Sequence, residues 1–434
     1  MTRIREFLSV LPEHRKGGNN QRYTIEDAAL SAFSVFFMQS PSFLDFQHRM
    51  EKKHGKNNAC TLFGVHKIPS DQQIRNLLDP ISPENIFPLF MEFTSALYDQ
   101  GALKHYRGQH GGMLIALDGT QYHRSNKIHC PSCSTRTFKN GQTEYFHKAV
   151  TPVIVAPGQP NVFPLPPAFV TPQDGDKKQD CEIKAATRWL HDWGAAVRDW
   201  KPLYLGDDLY CHQPFCEKVL ANGGDFLFTC LPSSHKLLYE WIDDFERNSD
   251  LHVYTKTRWT GRQRVTDSYR WINTVPLRDS DDALMVNWFE LTTTDPKGKV
   301  LYRNAWATSR HINRNNIVGL AVDARASWKI ENENNNTLKT KGYNFEHNYG
   351  HGKQYLSSLL ATLILLAFLI HSILDHCNEL YQHIRKQLGP RKTFFEHLRI
   401  LTQYAVHDTW EALFELMLEA LESAQSPLGR RLRR

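Results

Sequence analysis

The chain has 434 residues, 41% hydrophobic and 12% aromatic, a composition that excludes wholesale disorder and a length that allows two or three domains. A net charge of +6 is too mild to specify an anionic partner by itself. Eight cysteines in this length do not make a disulfide framework, and the opening MTRIREFLSVLPEHRKGG lacks the apolar stretch of a signal peptide, so a reduced, cytoplasmic protein is expected. Residues 22–105 read as helical, with apolar residues at helical spacing in TIEDAALSAFSVFFMQ and PENIFPLFMEFTSALYDQ. Ser70 or Asp71 is the expected N-cap of the helix between them. Near residue 106 the texture changes. GMLIALDGTQY reads as a buried strand ending in a turn, and KAVTPVIVAPG and VFPLPPAFV as further strands. KQDCEIKAATRWLHDWGAAV reads as an amphipathic helix, and residues 201–231 as strand, loop, helix, strand. This alternation predicts an α/β layered fold.

From 232 to 315 strand signals are dense, which predicts an antiparallel β insertion. Residues 251–315 carry eleven Lys/Arg against six Asp/Glu, interleaved with Trp259, Tyr269, Trp271 and Trp288. A basic stretch studded with aromatics suits nucleic acid, through phosphate contacts and base stacking. Helical texture returns at 313–339 and runs to about 424, before the short basic tail SPLGRRLRR. Within it, QYLSSLLATLILLAFLIHSIL has no charged residue and is long enough to span a bilayer. Ser357, Ser358, Thr362 and His371 recur along it, so a buried core helix is expected, with no membrane partner.

The chemistry is carried by carboxylates. Asp118 ends one apolar strand in IALDGT, and Asp207 and Asp208 end another in PLYLGDD. Residues just past strand ends lie at the edge of an α/β sheet where sites form. Glu331 follows the β insertion on a helix, behind Trp328. Phosphodiester cleavage needs a deprotonated water and a stabilised leaving oxygen, and two Mg²⁺ ions held by such carboxylates supply both.

These segments, LDGTQY at 117–122, LGDDLYCHQPFCEKVL at 205–220 and WKIENENNNTLKTKGYNFEHNYGHG at 328–352, resemble the DDE transposases of bacterial insertion sequences, the insertion-sequence-four-like group. NNACTLFGVHKIPSDQQIRNLLDPI at 57–81 resembles their amino-terminal region, and the likeness covers about residues 25–390. It implies an α/β fold: an RNase H-like core interrupted by an antiparallel β insertion, with a helical N-terminal domain and a helical C-terminal region. The boundaries would be 1–105 for a helical DNA-end-binding domain, 106–231 and 316–390 for the two parts of the core, 232–315 for the insertion, and 391–434 for the C-terminal region and tail. It implies a transposase that cuts transposon ends and joins them to target DNA, dependent on Mg²⁺ or Mn²⁺, nucleoid-associated in the bacterial cytoplasm, and working as a homodimer because two ends must meet. An RNase H-like nuclease that cuts without joining, and an inactive transposase-derived DNA-binding protein, are the alternatives.

Carried over residue by residue, Asp118, Asp207 and Glu331 are the expected catalytic metal ligands, with Asp208 and Glu333 as fallbacks. Two residues along a helix turn a side chain by about 200°, so only one of Glu331 and Glu333 can face the metals. Trp328 is expected to pack onto the core and point Glu331 inward. Trp259, Arg258, Arg262, Lys339 and His347 are the expected DNA contacts, Trp259 by stacking an unpaired base, with Glu346 and His351 lining the far end of the groove. The chain departs from the family pattern at Ala324, Ser327 and Leu338, where a Tyr, an Arg and a Lys are usual. The run Asn334-Asn335-Asn336 is also polar where a packed helix calls for an apolar residue.

HCPSC at 129–133 is a CxxC that could bind zinc if His147 and Cys181 supplied a second pair, but their spacing is irregular and free thiols are the first expectation. Cys211, Cys216 and His212 read as buried thiols beside a histidine. HNYGH at 347–351 lacks the Glu that a zinc peptidase carries directly after its first histidine.

Overall fold

The computed structural model describes residues 1–16, 21–172 and 181–425; the basic tail at 426–434 lies outside the described residues. Two sheets and a set of helices make a mixed α/β fold. The smaller sheet contains β2 (Gly119–Ser125), β3 (Ser134–Thr137), β4 (Thr143–Val150) and β7 (Ala168–Val170). The larger has nine strands in the order β10-β11-β12-β13-β9-β8-β1-β5-β6. Its ranges are β1 Leu114–Ala116, β5 Val153–Val155, β6 Phe163–Pro164, β8 Leu203–Gly206, β9 Asp225–Thr229, β10 His252–Trp259, β11 Arg264–Pro276, β12 Met285–Thr294 and β13 Val300–Thr308.

Strands β1, β8 and β9 run parallel, and β5 and β6 add on antiparallel. Every residue of β1 and β8 is buried, as expected of parallel strands covered on both faces. The connections between the parallel strands carry helices, Glu182–Trp193 between β1 and β8 and Gln213–Ala221 between β8 and β9. The antiparallel β10–β13 segment does not stand apart. It continues the central sheet, because Trp306, Ala307 and Thr308 of β13 pair with Thr229, Phe228 and Leu227 of β9. It is also preceded by the Lys236–Arg247 helix, which the strand-dense reading of 232–315 overlooked.

The β1–β8 register determines where the site forms. Ala116 lies opposite Leu205, and the Leu117 amide donates to the Leu205 carbonyl at 2.8 Å. Two residues further along both chains come Asp118 and Asp207, at the same carboxyl edge of the sheet.

The helices from the two ends of the chain pack together. Ser70 caps the Asp71–Leu78 helix by accepting from the Gln73 amide. The Ile25–Phe37 helix is buried along nearly its whole length, and so is Leu356–Cys377, the membrane-like segment. Phe37 lies 4.5 Å from the His371 ring and 5.0 Å from Trp410. Asn58 donates to the carbonyls of Thr402 and Ala405, and Arg399 to those of Met38 and Gln39. Buried His371 is partnered by the Tyr343 hydroxyl at 2.7 Å, and burial, then the nearby Arg391 charge, pushes its pKa well down.

Candidate functional site

Three distant stretches of chain converge at the carboxyl edge of β1 and β8. Asp118 is half-buried; Asp207 and Glu331 are exposed beside it. Burial raises the pKa of Asp118 to about 7, and the charges of Glu182, Glu331 and Asp207, in that order, reinforce the shift. Asp207 is also raised, first by the protein atoms crowding it and then by Glu182. The group is therefore a mutually repelling acidic cluster.

Glu182 is a fourth member that the sequence reading missed. It is buried in the first turn of its helix, accepts from the Tyr210 hydroxyl at 2.8 Å and pairs with Lys148. The signal was present: Glu182 shares the helix stripe of Ala185, Ala186 and Trp189, so amphipathic spacing puts it on the buried face. Gly119 follows Asp118 and has no room for a side chain, because a Cβ there would run into the Glu182 carboxylate and the Lys148 tail.

Asn335 was a second surprise. The polar triplet that looked misplaced lies where the helix widens into a π-turn, Ile330–Asn335, with Asn334 and Asn335 buried. The Asn335 amide nitrogen donates to Asp118 Oδ2 at 2.8 Å and to Glu331 Oε2 at 3.2 Å. One side chain thus spans the two carboxylates: Asn335 is polar because its neighbours are charged acceptors, while buried Asn334 donates to the Thr151 hydroxyl and to Asn335, and Asn336 is exposed.

Between the fallbacks the contacts are plain. Glu331, not Glu333, is the glutamate among the charges acting on Asp118. Asp208 turns away to accept from the Leu231 amide at 2.6 Å and from the Ser234 hydroxyl, with His235 3.5 Å from it. The expected anchor is different: Trp328 is 64% exposed and does not pack onto the core. Glu331 is oriented by the π-turn and Asn335 instead.

The residues expected to touch DNA are dispersed. Trp259 is 64% exposed at the end of β10, beside the Thr260–Gln263 turn that leads into β11. Arg262 in that turn is exposed, while Arg258 is tied to Asp267 at 2.5 Å. This hairpin is the outer edge of the nine-stranded sheet, with four strands between β10 and β8. Lys339 pairs with Glu346 at 3.2 Å rather than joining the acidic cluster. His347 is exposed against the Tyr349 ring, but His351 is buried.

His351 belongs to another group. The thiols of Cys130 and Cys133 and the imidazoles of His147 and His351 bring one donor atom each within 4.8 Å of one another, all four buried. Contact with Cys133, and with His147 and His351 against the opposing effect of burial, holds the Cys130 thiol low. His129 lies outside the cluster, stacked on Tyr145, and Cys181 is exposed. Cys211, Cys230 and His235 form a second buried group of the same kind with three donors, while Cys216 is buried apart from it. Among the described residues, the groups whose donor atoms draw this close are these cysteine–histidine sets; the acidic cluster is wider. The buried cysteines and histidines can therefore hold a metal ion. No protein-family model matches the chain, and no curated protein matches it.

Proposed function

We propose that the chain is a divalent-metal-dependent DNA transposase, with Asp118, Asp207 and Glu331 as the catalytic carboxylates. The observation that carries this reading is the approach of Asp207 and Glu331, widely separated in sequence, to half-buried Asp118, whose pKa their repulsion helps to raise. Lys148 is engaged by Glu182, so the excess negative charge at Asp118 invites a cation. The strand run β6-β5-β1-β8-β9, two antiparallel strands beside three parallel ones, is compatible with an RNase H-like core. The β10–β13 segment falls between the second aspartate and the glutamate, the order that the resemblance implies.

The residues fit Mg²⁺. They are hard oxygen donors, the ligand type that Mg²⁺ takes. Bound there, Mg²⁺ would acidify a water and stabilise the leaving 3′ oxygen. The protein's own contribution is positional: β1 and β8 fix two carboxylates by register, and the π-turn with Asn335 fixes the third. The exposed hairpin bearing Trp259 and Arg262 is suited to stacking and phosphate contact with the DNA end, in a homodimer that holds two ends.

The test uses DNA carrying the segments that flank the coding sequence, labelled at its ends, with purified full-length protein and Mg²⁺ or Mn²⁺. Nicking at the element boundary and joining of a pre-cleaved 3′ end to a plasmid are expected. Asp118→Asn and Glu331→Gln should each lower cleavage by on the order of 10²–10³-fold while binding persists. Cleavage without joining would assign a nuclease. Binding without metal-dependent cleavage would assign an inactive DNA-binding protein.

A further inference from the structure

We propose that Cys130, Cys133, His147 and His351 form a structural zinc site that ties the sheet following Asp118 to the segment following Glu331. Four of the six donor–donor distances match those of a zinc tetrahedron, and the other two lie within 4.8 Å. Zinc bonded at about 2.3 Å to sulfur and about 2.0–2.1 Å to nitrogen sets its sulfurs about 3.8 Å apart and each sulfur about 3.5 Å from each nitrogen. The two Sγ atoms lie 3.9 Å apart. His147 Nε2 is 3.4 Å from both sulfurs, and His351 Nε2 is 3.2 Å from Cys133 Sγ. The CxxC turn is folded as a knuckle: the Cys133 amide donates to the Cys130 carbonyl at 3.1 Å, and the Cys130 amide points at Cys133 Sγ at 3.4 Å.

Two thiolates and two neutral imidazoles in a tetrahedral arrangement select zinc over magnesium, which prefers oxygen donors. Four protein donors with no open position, all buried, make a structural site rather than a catalytic one. The wiring gives the site its consequence. Cys130 and Cys133 precede β3, and His147 lies on β4, which pairs with the β2 strand that begins directly after Asp118. His351 arrives 218 residues after Cys133, in the loop that leaves the Glu331 helix. That loop is also held by Arg75, which donates to the Tyr349 carbonyl at 2.8 Å, and by Asp79, which accepts from the Lys353, Gln354 and Leu356 amides. Zinc at this point would cross-link the segments that carry Asp118 and Glu331.

The experiment is metal analysis of the full chain, purified without a histidine tag or chelator. We expect zinc that survives dialysis, and an X-ray absorption spectrum at the zinc edge fitted by two sulfur and two nitrogen neighbours. Cys133→Ser and His351→Ala should each lose that zinc, whereas Cys230→Ser, in the three-donor group, should retain it with the same spectrum. Stripping the metal and adding Co²⁺ should give the thiolate-to-cobalt charge-transfer band, and Zn²⁺ should restore the melting temperature. If the Cys133 and His351 variants fail to fold, the Cys230→Ser protein decides by its zinc content and spectrum. Zinc-free protein, a Cys130–Cys133 disulfide in place of two titratable thiols, or zinc that leaves with Cys230→Ser alone would overturn the proposal. None of these readouts depends on DNA cleavage, so failure of the zinc site and failure of the transposase reading are separable.

Discussion

Asp118 shows how one side chain can record its neighbours. Its folded pKa of about 7, against a reference of 3.8, means that the folded state disfavours its charged form, through burial first and through Glu182, Glu331 and Asp207 after that. The sign follows from linkage. Stability contributed by the protonated group is fully present below the unfolded pKa and is lost as pH rises through the folded pKa. Without metal, the melting temperature of the native protein should fall relative to that of Asp118→Asn between about pH 4 and pH 7, then level off. One pKa unit is worth about 1.4 kcal/mol, and screening of this half-buried group reduces the total to on the order of 1–3 kcal/mol. Adding Mg²⁺ at pH 8 should stabilise the native protein more than the variant. Thermal melts across pH check both statements. A pH-independent difference between the two proteins would mean that Asp118 is not surrounded by ionised carboxylates. Asp118 and Asp207 were legible in the sequence because each ends an apolar run, a purely local signal. Glu182 was less so, since its partner Lys148 lies 34 residues away and only helix spacing marked it as inward-facing.

The element that decides the orientation of Glu331 is the π-turn Ile330–Asn335. A wide turn inserts an extra residue into a helix and commonly marks a functional site. Here it brings Glu331 and Asn335 together with Asp118, while Trp328 stays in solvent. Reading the segment as a regular α-helix leads to the wrong role for Trp328 and makes the asparagines look misplaced. Periodicity cannot reveal the extra residue, because the apolar pattern around it is too short to register a phase change. The same limit applies to the β10–β13 segment. Its strands are readable from alternation, but their continuity with the central sheet depends on a β13–β9 pairing that no local pattern encodes. The π-turn makes a specific demand. Deleting Asn332 should return the turn to α geometry and swing Glu331 by about 100° relative to the Asn336–Thr340 helix that follows. Circular dichroism should remain native-like while metal-dependent cleavage drops to the level of Glu331→Gln. Retained cleavage would mean that the glutamate's direction is not set by this turn.

At the scale of the whole molecule, one continuous apolar core runs from Ile4 to Met417. The helical beginning of the chain is not a detached module, because the Leu356–Cys377 helix is enclosed by segments from both ends. That helix is long and apolar enough for a bilayer, yet 78% of its most apolar stretch is buried within the fold. Composition showed that it must be covered, by lipid or by protein, but the covering residues lie too far along the chain for sequence spacing to identify. The direct cover comes from Ile25–Phe37, Glu379–Leu388 and β6, and residues 391–425 pack in turn on Glu379–Leu388 and on the helices at 43–58. Phe394, Phe395, Leu398, Leu413, Phe414 and Met417 are buried there, Phe395 lies 4.8 Å from His371, and Arg391 donates to Tyr343. At about 1.5–3 kcal/mol for each such side chain, their burial amounts to about 10 kcal/mol or more as an upper estimate. This is comparable with the entire stability of a typical fold, about 5–15 kcal/mol. A chain ending at Gly389 should therefore fail to fold and should expose the apolar faces of Glu379–Leu388 and of the helices at 43–58, eluting as an aggregate that binds hydrophobic dyes, whereas the full chain elutes without such binding. Size-exclusion chromatography with dye fluorescence measures the difference. A truncated chain that eluted as a folded monomer, with cleavage intact, would make the C-terminal helices an appendage rather than part of the shared core.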